Sequence, residues 1–219
     1  MKQWDKAFKE RGKIFLEPQE NMLEMIKCFK KNGVRKILDL GSGTGRHIIQ
    51  LAQEGFDVYG IDISEEGIKI TRKWLKGEKL KADLKIGSMY ARLPYKDNFF
   101  DAIISIQSFH HERIRNIRKG ILEIKRILKP NGFIFMTFRK RKFGKVYPNG
   151  TIVEKYGKQK SRYKVIEART YVPIEGEEKG LPHYLFNRQL IKKEFNNFKI
   201  SEIWADKKGH YCFLGKLIK

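Results

Sequence analysis

The segment Asp39-Leu40-Gly41-Ser42-Gly43-Thr44-Gly45 constrains this chain more than any other. Three glycines at alternate positions let the backbone turn sharply and approach a ligand closely, because no side chain intrudes. Before the turn, Lys36, Ile37, Leu38, Asp39 and Leu40 read as a strand. After it, Ile48, Ile49, Leu51 and Ala52 have the spacing of a helix that stops before Gly55. A strand, a glycine turn and a helix open a doubly wound α/β sheet.

The rest of the chain continues that alternation. Pro18 opens a helical stretch with Met22, Met25, Ile26 and Phe29 on one face, and Gly33 caps it. Val58 to Ile61 forms a second strand ending in Asp62. Ser64 is placed as the N-cap of a following helix, with Glu65 and Glu66 in its first turn. A third strand fits residues 82–86. The fourth, Ala102-Ile103-Ile104-Ser105-Ile106, is nearly all apolar, as a central strand buried on both faces must be. Ile114, Ile117, Ile121, Ile124 and Leu128 line one face of a helix over about residues 113–128. The turn Lys129-Pro130-Asn131-Gly132 leads to a fifth strand at Phe133 to Met136. Leu190, Ile191 and Phe195 mark a last helix, and strands at 199–204 and 210–217 flank a hairpin turn at Asp206 to Gly209. The predicted fold is a single α/β domain spanning 1–219. Its sheet is doubly wound, mostly parallel and seven-stranded, with an antiparallel C-terminal strand.

The residues around the turn narrow its chemistry. A dinucleotide fingerprint, G-x-G-x-x-G, would place its third glycine at position 46, where this chain has Arg46. Asp39, two residues before the first glycine, is an awkward neighbour for a pyrophosphate. It suits a cofactor that carries an ammonium and a sulfonium, as S-adenosylmethionine does. Asp62, at the tip of the next strand, stands where an acid accepts hydrogen bonds from both ribose hydroxyls.

Charge opens a second question. Lys and Arg number 47 against 25 acids, a net +22, which attracts polyanions such as RNA. The same excess fits a general Lys- and Ile-rich composition of the kind found in proteins from hot environments. No run of eighteen apolar residues exists, so no membrane span is expected. The N-terminus has no apolar core after its charges, and Cys28 and Cys212 lack metal-type spacing. A cytoplasmic protein without disulfides is expected. Residues 139–183 interrupt the α/β pattern. Within them, 139–164 hold ten Lys or Arg residues and one acid, with Tyr147, Tyr156 and Tyr163 interleaved. This stretch reads either as a solvated surface loop or as a lid beside the strand ends where ligands bind.

Residues 37–47 resemble motif I of the class I S-adenosylmethionine-dependent methyltransferases. Val58-Tyr59-Gly60-Ile61-Asp62-Ile63-Ser64 is similar to their acidic second motif. Residues 93–101, from Leu93-Pro94 to Phe100-Asp101, resemble the approach to their fourth strand, and Ile124 to Gly132 the helix and turn before their fifth. Together these motifs cover about residues 34–138, and they resemble most the type 11 group, whose members act on very diverse substrates. The resemblance implies that Asp39, Gly41, Ser42 and Gly43 hold the methionine portion of the cofactor. Asp62 and Ile63 then meet the ribose and one adenine face. Ser88 and Met89, after Gly87, line the adenine, and Gln107 lies near the methyl donor. Many relatives have Asp at position 88, so Ser88 departs from the pattern.

Methyl transfer is an in-line displacement from an activated sulfonium, and alignment supplies much of the acceleration. A base is needed only where the acceptor loses a proton. His110 and His111, directly after the fourth strand, are the candidates, with His111 the catalytic choice. His183 and Tyr184 are placed to meet the substrate from the insert. The adjacent residues His110, His111 and Glu112 make no convincing metal site, and no metal is expected. The chain lacks the Asn/Asp-Pro-Pro-aromatic clamp of amino-directed adenine methyltransferases after the fourth strand. Residues 181–186 are similar to a His/Tyr-rich stretch of tRNA wobble-uridine methyltransferases. The expected activity is methyl transfer to a small or medium-sized acceptor, leaving S-adenosylhomocysteine. The alternatives are RNA, specifically tRNA, as acceptor through the basic insert, or cofactor binding without catalysis. An NAD-dependent oxidoreductase ranks last because of Arg46.

Overall fold

A computed structural model describes residues 2–140, 151–156 and 159–218. In chain order the elements are α1 (Lys2–Arg11), α2 (Met22–Lys31), β1 (Lys36–Leu40), α3 (Arg46–Gln53), β2 (Asp57–Asp62), α4 (Glu65–Gly77), β3 (Asp83–Ile86), β4 (Phe100–Ile106), α5 (Ile114–Ile127) and β5 (Leu128–Arg139). They continue with β6 (Thr151–Tyr156), β7 (Gln159–Glu167), β8 (Thr170–Pro173), β9 (His183–Tyr184), α6 (Arg188–Glu194), β10 (Phe198–Ala205) and β11 (His210–Leu217).

Seven strands form the main sheet in the order β10-β11-β5-β4-β1-β2-β3. Its neighbours pair in parallel except where β11 lies antiparallel to both β5 and β10. The strand order reverses between β1 and β4, the place where ligands bind in open α/β sheets. Two apolar layers hold the sheet. One packs α5 and α6 residues such as Ile117, Ile121, Ile124 and Ile191 against Leu38, Ile103 and Ile134. The other packs Met22, Ile26, Phe29 and Ile48 against Ile37, Ile104 and Phe135. Alternate residues of β1 and β4 thus feed opposite layers, which is why these strands are apolar along nearly their whole length.

Three features differ from the sequence expectation. The helix expected from Pro18 begins at Met22, and the N-terminal residues form α1, which was not expected. The turn before the fifth strand is drawn into β5, which starts at Leu128. Its pairing with β4 slips between Phe100 and Ala102, so Phe100 faces Leu128 and Ala102 faces Phe133. The slip accommodates Pro130, which has no N–H for a ladder, and Asn131, which adopts φ +61°. The third difference is the insert. Its described part is neither an extended loop nor a simple flap, but a four-stranded antiparallel sheet in the order β6-β7-β8-β9. Ile152, Tyr163, Tyr171 and Leu185 make a small core of its own. Tyr147 and the basic residues at 141–150 lie outside the described residues.

Candidate functional site

The turn after β1 is fixed from three directions. Gly41 N–H donates to the Ile61 carbonyl at the end of β2, 2.8 Å away. The Ser108 hydroxyl donates to the Gly41 carbonyl at 3.1 Å. Gly41 has φ +78°, and a Cβ there would stand 2.5 Å from Ser108 Cβ, so the backbone conformation and the close packing both demand glycine. Gly45, with φ +91°, is the N-cap of α3, and Arg46 is that helix's first residue. Position 46, where a dinucleotide fingerprint has its third glycine, is thus a helix residue and is Arg46 in this chain.

Asp62 ends β2 with both carboxylate oxygens oriented. One accepts from Gly43 N–H and the other from Ser64 N–H, each at 2.8 Å. Burial raises its pKa, against the lowering effect of these backbone donors. Each oxygen keeps a further lone pair for a ligand hydroxyl. Ser64 also caps α4 by accepting from Gly67 N–H at 3.0 Å.

Asp39 behaves differently from the sequence expectation. It does not line the cavity described below, and its buried carboxylate lies 4.0 Å from His47 Nδ1. Neither oxygen has a hydrogen-bond partner among the described residues. Burial pushes its pKa up to about 7, with Arg46 opposing the rise and Asp62 adding to it. His47 Nε2 accepts from Gln19 N–H at 3.1 Å, which leaves the ring proton on Nδ1, toward Asp39. Burial holds His47 well below the ordinary histidine range, so the ring is neutral. Apart from the Arg46 guanidinium, which offsets only part of the burial, the carboxylate has a neutral imidazole beside it. A cationic ligand at the adjoining turn is the group that fits.

A cavity of about 620 Å³ opens over the carboxyl ends of β1, β2 and β4. One side carries Gly41, Ser42, Gly43, Asp62, Ile63, Ser88, Met89 and Gln107, all of them expected site residues. Ser88 Oγ accepts from Tyr90 N–H at 3.2 Å and stabilises the bend after β3. Gln107 adopts φ +58°, an unfavourable conformation for a residue with a Cβ. Its N–H donates to Thr137 Oγ1 at 2.9 Å, and its side-chain amide lies 3.5 Å from His210 Nδ1.

The opposite side of the cavity gathers His110, His111 and His183. One ring nitrogen of each lies within 4.8 Å of the others. Glu178 completes the group, 3.7 Å from His111 Nε2 and 3.5 Å from His183 Nε2. The expectation that His110 and His111 lack a further cluster is corrected here, because folding brings in His183 and Glu178 from the insert. Tyr184 does not join them. Successive residues of a strand point to opposite faces, so with His183 on the cavity, Tyr184 packs edge-on against Phe186 in the main core.

Sequence reasoning also missed the cavity's N-terminal wall. Trp4 and Phe8 of α1, with Phe15 beyond it, line the cavity. Asp5 docks α1 by accepting from the Ser64 hydroxyl at 2.8 Å and from Glu66 N–H at 2.9 Å. Gln3 donates to the Lys179 carbonyl at 3.1 Å, and Arg11 pairs with Glu177, so α1 and the insert meet at the cavity's edge. The spacing of Trp4, Ala7 and Phe8 held the signal of an apolar helix face. Glu178, in a polar turn, had none.

Comparison with known proteins adds lineage to this geometry. Residues 38–136 match a family described as Methyltransferase domain. An uncharacterized methyltransferase of Mycobacterium tuberculosis is 26% identical over 184 residues, which is 83% of this chain and 70% of that protein. The tRNA (carboxymethyluridine(34)-5-O)-methyltransferase of Arabidopsis thaliana is 41% identical over 103 residues, covering 46% of this chain and 23% of that protein. Among solved structures, an S-adenosylmethionine-dependent methyltransferase of Clostridium acetobutylicum shares the fold. Its TM-score is 0.68 at 14% identity, over 100% of this chain and 99% of that one.

Proposed function

We propose that this chain is a class I S-adenosylmethionine-dependent methyltransferase whose methyl acceptor is a small or medium-sized molecule held beneath α1 and the insert. The observation that carries this reading is the shared cavity. Cofactor-type residues occupy one side, a histidine cluster the other, and aromatic side chains of α1 wall it.

On this reading, Gly41, Ser42 and Gly43 present backbone to the methionine portion of the cofactor, and Asp39 supplies negative charge from behind the turn. Asp62 accepts from the ribose hydroxyls with the lone pairs that Gly43 and Ser64 leave open. Ile63, Ser88 and Met89 flank the adenine, and Gln107 borders the methyl donor. Bound there, S-adenosylmethionine supplies a methyl group on a positively charged sulfur. The protein aligns the acceptor and excludes water, with Trp4 and Phe8 as apolar wall. His111 is placed to take the acceptor's proton, with Glu178 orienting its ring from 3.7 Å.

A second reading, RNA as acceptor, draws on the net charge of +22 and on the similarity to the tRNA-modifying Arabidopsis protein. Titration with bulk tRNA at rising salt separates the two. A small-molecule enzyme loses tRNA entirely at moderate salt, because scattered surface lysines act only through counterion release. Retention of tRNA there, with methyl groups appearing in it, overturns the small-acceptor reading.

A further inference from the structure

The cavity's histidine side has the make-up of a metal centre. Three of the chain's five histidines converge there, from two segments more than seventy residues apart. Ring centroids of His110 and His111 are 4.2 Å apart, and those of His111 and His183 are 4.7 Å apart. Glu178 brings Oε1 to 3.7 Å from His111 Nε2 and Oε2 to 3.5 Å from His183 Nε2. Around a tetrahedral zinc ion with bonds near 2.0–2.1 Å, neighbouring ligand atoms lie about 3.3 Å apart. The two carboxylate distances already approach that spacing, and the imidazoles need to close by at most about 1.5 Å.

The surroundings hold these donors in place. The His183 ring stacks on Tyr171, with centroids 5.4 Å apart and planes 9° apart. Tyr184 N–H donates to the His110 carbonyl at 2.8 Å, tying the loop after β4 to β9 backbone to backbone. The Glu178 turn is closed by Leu181 N–H on the Glu178 carbonyl at 2.9 Å and anchored by Gly180 N–H on the Pro173 carbonyl at 2.9 Å. Three imidazoles this close repel one another when more than one is protonated. One divalent cation can accept a ring nitrogen from each imidazole and a carboxylate oxygen at once.

We infer that His110, His111, His183 and Glu178 form a binding site for one divalent transition-metal ion, of which Zn²⁺ best matches three imidazoles and a carboxylate. The site faces the same cavity as the cofactor residues, and on this account His111 is a ligand and not a free base. The metal site does not rest on the cofactor assignment, but it replaces the proton-accepting role given to His111 above.

The test uses the full chain, stripped with a chelator, dialysed and titrated with Zn²⁺ alone by calorimetry. One ion per chain is expected. His183→Ala and Glu178→Gln weaken binding by at least about 100-fold, while both variants bind S-adenosylhomocysteine like the parent. Co²⁺ in place of Zn²⁺ gives the visible absorption of a low-symmetry site, absent from His183→Ala. Zn²⁺ uptake by the parent that is no greater than by a His110→Ala/His183→Ala double variant overturns the proposal and leaves a histidine–glutamate ion-pair cluster. Failure of the parent to bind S-adenosylhomocysteine counts against the cofactor assignment, while the Zn²⁺ titration still decides the metal site.

Discussion

On the proposed reading, Asp62 and Asp39 divide the work of one anionic site. Asp62 meets the cavity with its oxygens already oriented by Gly43 and Ser64. Asp62→Ala removes the acceptor for ribose hydroxyls and leaves two backbone donors short of a partner. A hydrogen bond to a charged group contributes about 1.5–3 kcal/mol, so the Kd for S-adenosylhomocysteine should rise at least about tenfold by calorimetry. Asp39 acts through its charge. With its pKa pushed up to about 7, it is largely protonated at pH 6 and ionised at pH 8. A raised carboxyl pKa contributes stability that is complete below the unfolded value of 3.8 and is lost as pH rises through about 7. A cationic ligand favours the ionised form, so cofactor affinity should climb from pH 6 to pH 8, with proton release at the low end. Asp39→Asn should flatten that profile; an unchanged slope would exclude Asp39 as the source. The turn and the place of Asp62 on the cavity were legible in the sequence because strand ends and glycines mark them locally, whereas the burial of Asp39 behind the turn was not. Glu178 was not, since only tertiary placement brings its carboxylate to His111 and His183.

Among the elements, β1, β2 and β4 and helices α4 and α5 could be read directly, because apolar runs and three-to-four spacing identify them. The α1 helix was hidden by its charge: its apolar face is only Trp4, Ala7 and Phe8. The insert sheet was hidden for a related reason. β7 alternates Lys160, Arg162 and Lys164 with other residues, β9 is only two residues long, and the core is four residues. Asp5 shows how α1 depends on its neighbours. Hydrogen bonds from Glu66 N–H and the Ser64 hydroxyl, with Lys9 adding a smaller effect, hold the Asp5 carboxyl below its ordinary pKa. Such a group contributes stability above the unfolded value of 3.8 that disappears as pH falls through its folded pKa. Asp5→Ala should cost about 1 kcal/mol at pH 7, as loss of a helix-capping interaction does. Denaturation curves of the two proteins should draw together below pH 3.8; a constant gap would show that the carboxylate is not the origin.

For the molecule as a whole, the sheet supplies a rigid floor and two separate segments supply the walls. The reversal of strand order between β1 and β4 opens the site, and α1 and the insert meet at its edge through Gln3–Lys179 and Arg11–Glu177. No helix among the described residues is long and apolar enough to cross a membrane. Overall architecture was legible from the alternation of strands and helices, and His110, His111 and His183 were expected near one another, whereas Glu178 and the α1 wall of the cavity were not. The central claim is that the glycine turn and Asp62 hold a sulfur-containing nucleoside cofactor. Thermal unfolding of the full chain with S-adenosylmethionine, S-adenosylhomocysteine or NAD tests it most directly, since a ligand that binds only the folded state raises Tm. The account predicts a rise with both sulfur compounds and none with NAD; a rise with NAD alone contradicts it.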